Sequence, residues 1–592
     1  MTFDPDQEAV LADPHERLLI EAPPGSGKTR TAVTLIGRDI DQGGVGGTQR
    51  VLVLTFSRNA RAQLDGYAAE LLTPDQRVRA EITNYHSWFW GKVSQYRCSL
   101  GLPLDLELAT EAQRNADVAA AMQAAVVARA PRDRRQVSDY SRSLEYELPG
   151  GRPDRLSEPR PRNAEVAEQL RELHIRSSRI HYDDLAYYTW LLLSGSRTLH
   201  QLWRHKYPVI VLDEYQDTSP LQAAIVNKLA GNSSRVYAFA DPLQQIYEWR
   251  DASKRRLDEF REQHPSEHRL RTLHRYRDRP ALQTWMQQVR DVLLDDAAVV
   301  RADRPPEVQV TRYDPAQPER SKVWGAEARE LWQLDDPIAR AFRDAHVQTI
   351  AVLTRRREQL SVLERHLTKN FRCGRLRARD DGLDFAVEWV DGYATAVTIE
   401  HHAQRLLRLA QAVVPRHPHL DLHERVGANG IDTARLREPR RTLAEGMTRL
   451  AEGCESVADS FRAAQDLIRL ACHQQDRRAI DWDTLYAVRH VLQAPAHLPD
   501  DEAGERARAR VRQARFRSAP APRRGLYLLS CHEGKGKEFD FVILPHVSTA
   551  NFKDDEESRQ LLYVSLSRAR QRILIRLAQG DAPAICQRLG LG

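Results

Sequence analysis

Leu18–Arg30 reads LLIEAPPGSGKTR, and the rest of the chain is organised around it. The opening apolar run has the character of a buried strand, Pro and Gly break it, and Gly25-Ser26-Gly27-Lys28-Thr29 then enters the amphipathic segment Thr31–Ile36. A strand, a glycine-rich loop and a helix N-terminus in that order gather free backbone N–H groups and the positive end of a helix dipole at one point. That is a cradle for polyphosphate oxygens. In such a cradle Gly25, Ser26 and Gly27 supply backbone, Lys28 reaches the β and γ phosphates, and the Thr29 hydroxyl ligates Mg²⁺. A short match of this kind also arises by chance, and Ala22 stands where the strict pattern has Gly, so the remainder of the chain has to support it.

At 592 residues the chain has room for about three to five domains, each with its own core. Lys and Arg total 88 against 82 Asp and Glu, a net charge of +6 that permits a nucleic-acid partner without demanding one. The six cysteines (Cys98, Cys373, Cys454, Cys472, Cys531 and Cys586) are scattered with no C-x-x-C pair, which argues against a zinc or iron–sulfur site and against a disulfide framework, and fits a reducing cytosol. No leader and no apolar run of membrane-spanning length is present. The expectation is a cytoplasmic protein with no membrane partner.

Three further strand exits carry polar groups. Val51–Thr55 ends in Phe56-Ser57-Arg58-Asn59, in the manner of ligand-bearing strand ends in open α/β sheets. Val209–Leu212 delivers Asp213 and Glu214, where Asp213 suits Mg²⁺ and Glu214 suits the orientation and deprotonation of an attacking water. Adjacent acids are more often surface charges. Standing 185 residues after Lys28, they read as the second half of one site. Val236–Phe239 exits toward Gln244, placed to sense a γ-phosphate, and then toward Tyr247, Trp249 and Arg250, aromatic faces interleaved with a cation that can stack bases. Trp249 taken singly reads better as a core tryptophan on a helix. Before the first strand, Gln7 can present its amide to a purine edge.

The ordered set APPGSGKT, LTFSRNA, YHSW, DEYQDTS and ADPLQQIYEWRDA resembles the first RecA-like lobe of the UvrD/Rep group of superfamily 1 DNA helicases. HYDDL, ending at Leu185, is similar to a segment that this family carries before its acidic motif. The resemblance continues through LHRYR (273–277), IAVLTR (350–355), LYLLSCHEGKGKE (526–538) and LLYVSLSRA (561–569) into a second lobe. It implies that Tyr276 stacks on adenine with Gln7 and Arg30 beside it, that Arg277 reaches the γ-phosphate, that Glu538 holds the ribose, and that Arg568 is the arginine finger. It also implies that Phe56, His86 and His532 join Tyr247, Trp249 and Arg250 on DNA. Departures are Pro23, Ala240, Glu248, Glu533-Gly534 and Lys537; none removes a catalytic charge, although Glu248 adds negative charge near the expected base stack.

The fold expected is α/β, with two RecA-like parallel-sheet lobes, each bearing a mainly helical insertion. Residues 1–88 and 203–270 form the ATP-binding lobe, 89–202 its insertion, 271–373 and 523–592 the second lobe, and 374–522 the second insertion. The activity implied is an ATP- and Mg²⁺-dependent 3′–5′ helicase or translocase on single-stranded DNA and its junctions with duplex, in repair or recombination. Two other readings stay open. One is an ATP-gated DNA-binding switch that does not unwind; the other is a helicase subunit with a nuclease, repair or antiphage-defence partner, since only 24 residues follow Arg568.

Overall fold

The computed structural model describes residues 3–125, parts of 140–147, 163–313 except 232–233, 247–254, 265 and 296–297, then 334–367, 373–375, parts of 398–467, and 525–591. Two six-stranded sheets, parallel throughout, form the frame. In chain order the strands are β1 (Arg17–Glu21), β2 (Val51–Thr55), β3 (Ala80–Asn84), β4 (Glu107–Leu108), β5 (Arg179–Ile180), β6 (Val209–Leu212), β7 (Arg235–Ala240) and β8 (Glu267–Arg269). They continue as β9 (Val308–Tyr313), β10 (Thr349–Thr354), β11 (Cys373–Arg375), β12 (Val426–Gly427), β13 (Gly430–Ile431), β14 (Gly525–Ser530), β15 (Phe539–Val547) and β16 (Ala569–Ala578). The first sheet runs β3-β2-β6-β7-β1-β8 and the second β11-β14-β10-β15-β16-β9.

The strands read as unbroken apolar runs because both faces of each sheet are covered. Leu18, Ile20, Val51, Val53, Val209 and Val211 point into one core of the first lobe, while Leu19, Leu52, Leu54, Ile210 and Leu212 point into the other. The second sheet alternates likewise: Ile350, Val352 and Ile543 face one side, Ala351, Leu353 and Val542 the opposite one. A polar substitution at any of these buried strand positions would remove one core contact and strand a polar group, which costs roughly 1–3 kcal/mol for the unpaired group alone.

The order of the first sheet places β6, β7 and β1 side by side, so the loops leaving their carboxyl ends meet over one edge. The helical segment after β3 is not a separate body. The helix Tyr85–Gln95 spans the expected boundary at 88/89, and its Trp88 and Phe89 share a core with Leu170, Ile180, Leu192 and the β2 and β6 side chains. Expected helices at 111–130 and 164–173 are seen as Glu111–Ala124 and Asn163–Ser177. Most of 374–522 lies outside the described residues; two helices there, Ile399–Val413 and Arg440–Glu452, flank the short β12–β13 pair.

Candidate active site at the lobe interface

The loop after β1 turns on two glycines, Gly25 and Gly27, both at φ +83°. L side chains rarely adopt that conformation, and space forbids them too: a Cβ at Gly25 would lie 2.6 Å from Arg275 Cβ, and one at Gly27 would run into Gln7 Nε2. Gly27 caps the helix Lys28–Asp41. Lys28, on its first residue, sits 2.9 Å from Asp213 Oδ1 and also pairs with Glu214, so the ends of β1 and β6 are joined by one ammonium. Burial opposes that charge, but Asp213 and Glu214 hold it well above the ordinary lysine value. Burial likewise opposes the Glu214 carboxylate, yet the Lys28 and Lys535 charges bring it down to about 2, whereas burial raises Asp213.

Glu214 occupies the left-handed region (φ 54°), unusual for a residue with a side chain and of the order of 1–2 kcal/mol unfavourable. Gln216 Nε2 donates to its second oxygen at 2.6 Å, and the Asp241 backbone N–H donates to Gln216 Oε1 at 3.1 Å. The β6 and β7 exits are therefore hydrogen-bonded to each other through Gln216. Thr29 is half-buried on the first helical turn; Ser26 is buried, and its hydroxyl makes no hydrogen bond.

The second lobe supplies cations. Arg568 Nη2 donates to Gln244 Oε1 at 2.9 Å, and Gln244 Nε2 to Asp241 Oδ2 at 3.0 Å. Lys535 Nζ lies 2.5 Å from Asp217 Oδ2 and also donates to the Gln244 carbonyl. Arg275 crosses the glycine loop: its backbone N–H donates to the Gly25 carbonyl at 3.2 Å, and its guanidinium reaches Glu538 and the Ser567 carbonyl. Burial and the neighbouring Arg275 charge hold Arg568 below its ordinary value. Two guanidiniums close enough to repel make a pocket that favours an anion. Below them, buried Arg290 ties Asp241 Oδ1 (2.6 Å) and Glu21 in the first lobe to Tyr563 in the second.

Two expected residues are corrected. Tyr276 is only 1% exposed, packed in the second-lobe core with its hydroxyl on the Ala569 carbonyl, so it presents no face to a base. Arg277 is 79% exposed, its guanidinium beside Asp278 rather than on the glycine loop that Arg275 contacts. The cause is register: the segment folds as a single 3-10 turn, His274–Tyr276, so the residues over the loop are His274 and Arg275. His274 is held by Asp4 at 2.7 Å, its ring edge 3.4 Å from where a Gly27 Cβ would be.

Gln7 is buried with its amide on the Ser26 carbonyl, Arg30 stacks over the Phe3 ring at 4.4 Å, and Glu538 lies between Arg275 and Arg570. His86 meets Tyr182 edge to face at 5.8 Å, and His532 stands 3.9 Å from Glu557. Phe56 is half-buried at the β2 exit, and a Cβ added at Gly536, in the loop of His532, would lie 3.6 Å from the hydroxyl of the neighbouring Ser57. Tyr247, Trp249 and Arg250 lie outside the described residues. Gln216, Asp217, Arg275 and Arg290 were not expected. The first three sit inside quoted motifs, whereas Arg290 is one arginine on an amphipathic helix and carries no sequence signal.

The family model of the UvrD/REP helicase N-terminal domain matches residues 3–265, and that of the UvrD-like helicase C-terminal domain matches 525–575. The chain belongs to the UvrD/Rep-like superfamily 1 helicase family. Its UvrD-type domains indicate ATP-dependent helicase/ATPase activity, and the matched P-loop domain implies ATP binding. Among curated relatives, the chain is 24% identical to the ATP-dependent DNA helicase UvrD2 of Mycobacterium tuberculosis over 98% of this chain and 79% of the relative. It is 23% identical to a probable DNA helicase II homolog of Mycoplasma capricolum over 42% of this chain and 35% of the relative. A third, the ATP-dependent DNA helicase PcrA of Leuconostoc citreum, is 26% identical over 44% of this chain and 35% of its own length. Among the described residues no helix is long and apolar enough to cross a membrane.

Proposed function

We propose that this UvrD-like protein is a cytoplasmic ATP-driven 3′–5′ translocase on single-stranded DNA that separates strands at junctions, in repair or recombination. The observation that carries this reading is that Arg275, Arg568 and Lys535 of one lobe touch the glycine loop, Gln244 and Asp217 of the other. A nucleotide there is grasped from both sides, so its hydrolysis alters how the lobes attract each other. The polarity comes from the family resemblance, and DNA as substrate agrees with the names of the relatives.

Lys28 and the loop N–H groups bind the phosphates, which compete with Asp213 and Glu214 for the ammonium. Thr29 and Asp213 would hold Mg²⁺, which supplies charge neutralisation on the phosphates; the buried, unpartnered Ser26 hydroxyl and the paired acids fit such a group. Glu214, oriented by Gln216, takes the proton of the attacking water as its oxygen bonds the γ-phosphorus and the β–γ bridge breaks. Arg275 and Arg568 stabilise the charge on the γ-phosphoryl group, and His274, with Gln7, takes the base position first read for Tyr276. Phe56, His86 and His532 contact the DNA in this reading, and the family resemblance adds Tyr247, Trp249 and Arg250 to them as DNA-binding residues.

The test is strand displacement on 3′-tailed, 5′-tailed and blunt DNA with an RNA control, alongside ATPase with and without single strands. Turnover raised many-fold by single-stranded DNA and displacement confined to the 3′-tailed duplex are expected. Stoichiometric binding without turnover would leave only an ATP-gated switch.

A further inference from the structure

Away from the nucleotide cleft, the segment between the helices Asn163–Ser177 and Leu185–Gly195 brings together three side chains that the proposed reaction does not use. His174 Nε2 lies 3.4 Å and His181 Nδ1 3.3 Å from Asp184 Oδ2. All three side chains have no exposed surface, and neither these two nitrogens nor either Asp184 oxygen makes a hydrogen bond. The two imidazole nitrogens stand at ion-pair distance from Asp184 Oδ2 but without hydrogen-bond geometry, and buried polar atoms so poorly satisfied are normally unfavourable.

We propose that His174, His181 and Asp184 bind one divalent transition-metal ion, Zn²⁺ in the first place. Ligand bonds of about 2.0–2.2 Å at tetrahedral angles set neighbouring donor atoms roughly 3.3–3.6 Å apart; the two separations to Asp184 match, and all three donor atoms lie within 4.8 Å of one another, so an ion would draw the two imidazoles together. Two imidazoles and a carboxylate suit zinc and its neighbours better than Mg²⁺ or Ca²⁺, which prefer all-oxygen sites. The nitrogens facing away are engaged as metal-bound histidines require: His181 Nε2 is 3.2 Å from Asp117 Oδ2, and His174 Nδ1 is 3.0 Å from the Tyr188 hydroxyl. Asp117 is in turn 3.4 Å from Arg179. Ser178, at φ 52°, makes the turn that returns His181 to His174. The second Asp184 oxygen is available for a fourth position.

The ion is structural: it ties the helix Asn163–Ser177 to the following helix, Leu185–Gly195, and fixes Tyr182 against His86. Full-length, nucleotide-free protein is to be loaded with Zn²⁺ or Co²⁺, desalted, and measured for metal content, for visible Co²⁺ absorption and for Tm. One tightly held ion per chain, a four-coordinate Co²⁺ band and a Tm that falls on chelation and returns with Zn²⁺ are expected. His174→Ala and Asp184→Asn should lose the band, Asp117→Asn should weaken binding by about 10–100-fold, and Asp213→Asn, in the nucleotide cleft, should keep the ion. Wild-type protein that retains neither metal after loading overturns the assignment even if the variants fail to fold. So does a Co²⁺ band unchanged in His174→Ala and Asp184→Asn, which would mark adventitious binding; metal-free wild type would leave a proton between His181 and Asp184 as what joins them.

Discussion

The two walls of the cleft are built differently. On the first-lobe wall, each polar group stands within a few residues of a strand end: Lys28 after β1, Asp213 and Glu214 after β6, Gln244 after β7. Strand order alone brings them together, and Lys28 already pairs with both acids. The opposite wall collects Arg275 from a short 3-10 turn, Lys535 from the loop beyond β14, and Arg568 from the end of the helix Glu556–Leu566. Arg568 and Lys535 find partners across the interface, on Gln244 and Asp217, while Arg275 reaches the glycine loop through its backbone N–H and keeps its guanidinium on Glu538 of its own lobe. One wall is a self-contained site; the other is defined by what it touches. A motor needs that asymmetry, because only contacts made between bodies can be made and broken by a cycle.

The sharpest way to break this comparison is to exchange the two arginines. Arg275→Ala should lower ATP turnover by about 10³–10⁵-fold, as loss of an arginine acting on the γ-phosphoryl group does. Arg277→Ala should leave kcat within about twofold, since an exposed surface change seldom matters. The reverse pattern in steady-state ATPase would restore the sequence reading. Next in size, Glu214→Gln should reduce kcat by roughly 10²–10⁴-fold while nucleotide and single-strand binding persist; normal turnover would remove Glu214 as the base.

Arg290→Met leaves Asp241 buried without its cation and Glu21 with only Arg269, and breaking such a buried pair costs about 3–5 kcal/mol. Urea unfolding should register it, and an unchanged midpoint would show that the lobes are not coupled there. The smallest effect concerns His546, which lies deep in the second lobe beside Tyr313. Burial and the nearby Arg576 charge lower it from 6.5 to about 3. It is neutral in the fold and protonates more readily unfolded, so its share of stability is full above pH 6.5 and is lost as pH falls toward 3. His546→Phe should flatten the Tm profile over that window by about 1–2 kcal/mol at pH 5. A profile identical to wild type would place the acid sensitivity elsewhere.

The sequence by itself determined the class of fold and most of the first-lobe wall. Apolar runs followed by glycines or paired acids are local signals, and a parallel sheet buried on both faces admits few alternatives to strands feeding loops at one edge. The family resemblance extended this to both lobes. What the tertiary structure alone decided were the contacts between segments far apart in the chain. LHRYR holds two arginines two residues apart, and only the tight turn, with Tyr276 committed to the second-lobe core, selects Arg275 over Arg277. Arg290 has no motif to announce it; its importance is the burial of Glu21 and Asp241 beside it. The same is true of His174, an ordinary polar residue until packing removes water from around it; Asp184 lies within HYDDL, but that segment gives no hint of His174 as its neighbour. Local sequence can encode which way a strand turns, whereas the partner of a buried charge is chosen by whatever the completed fold places next to it.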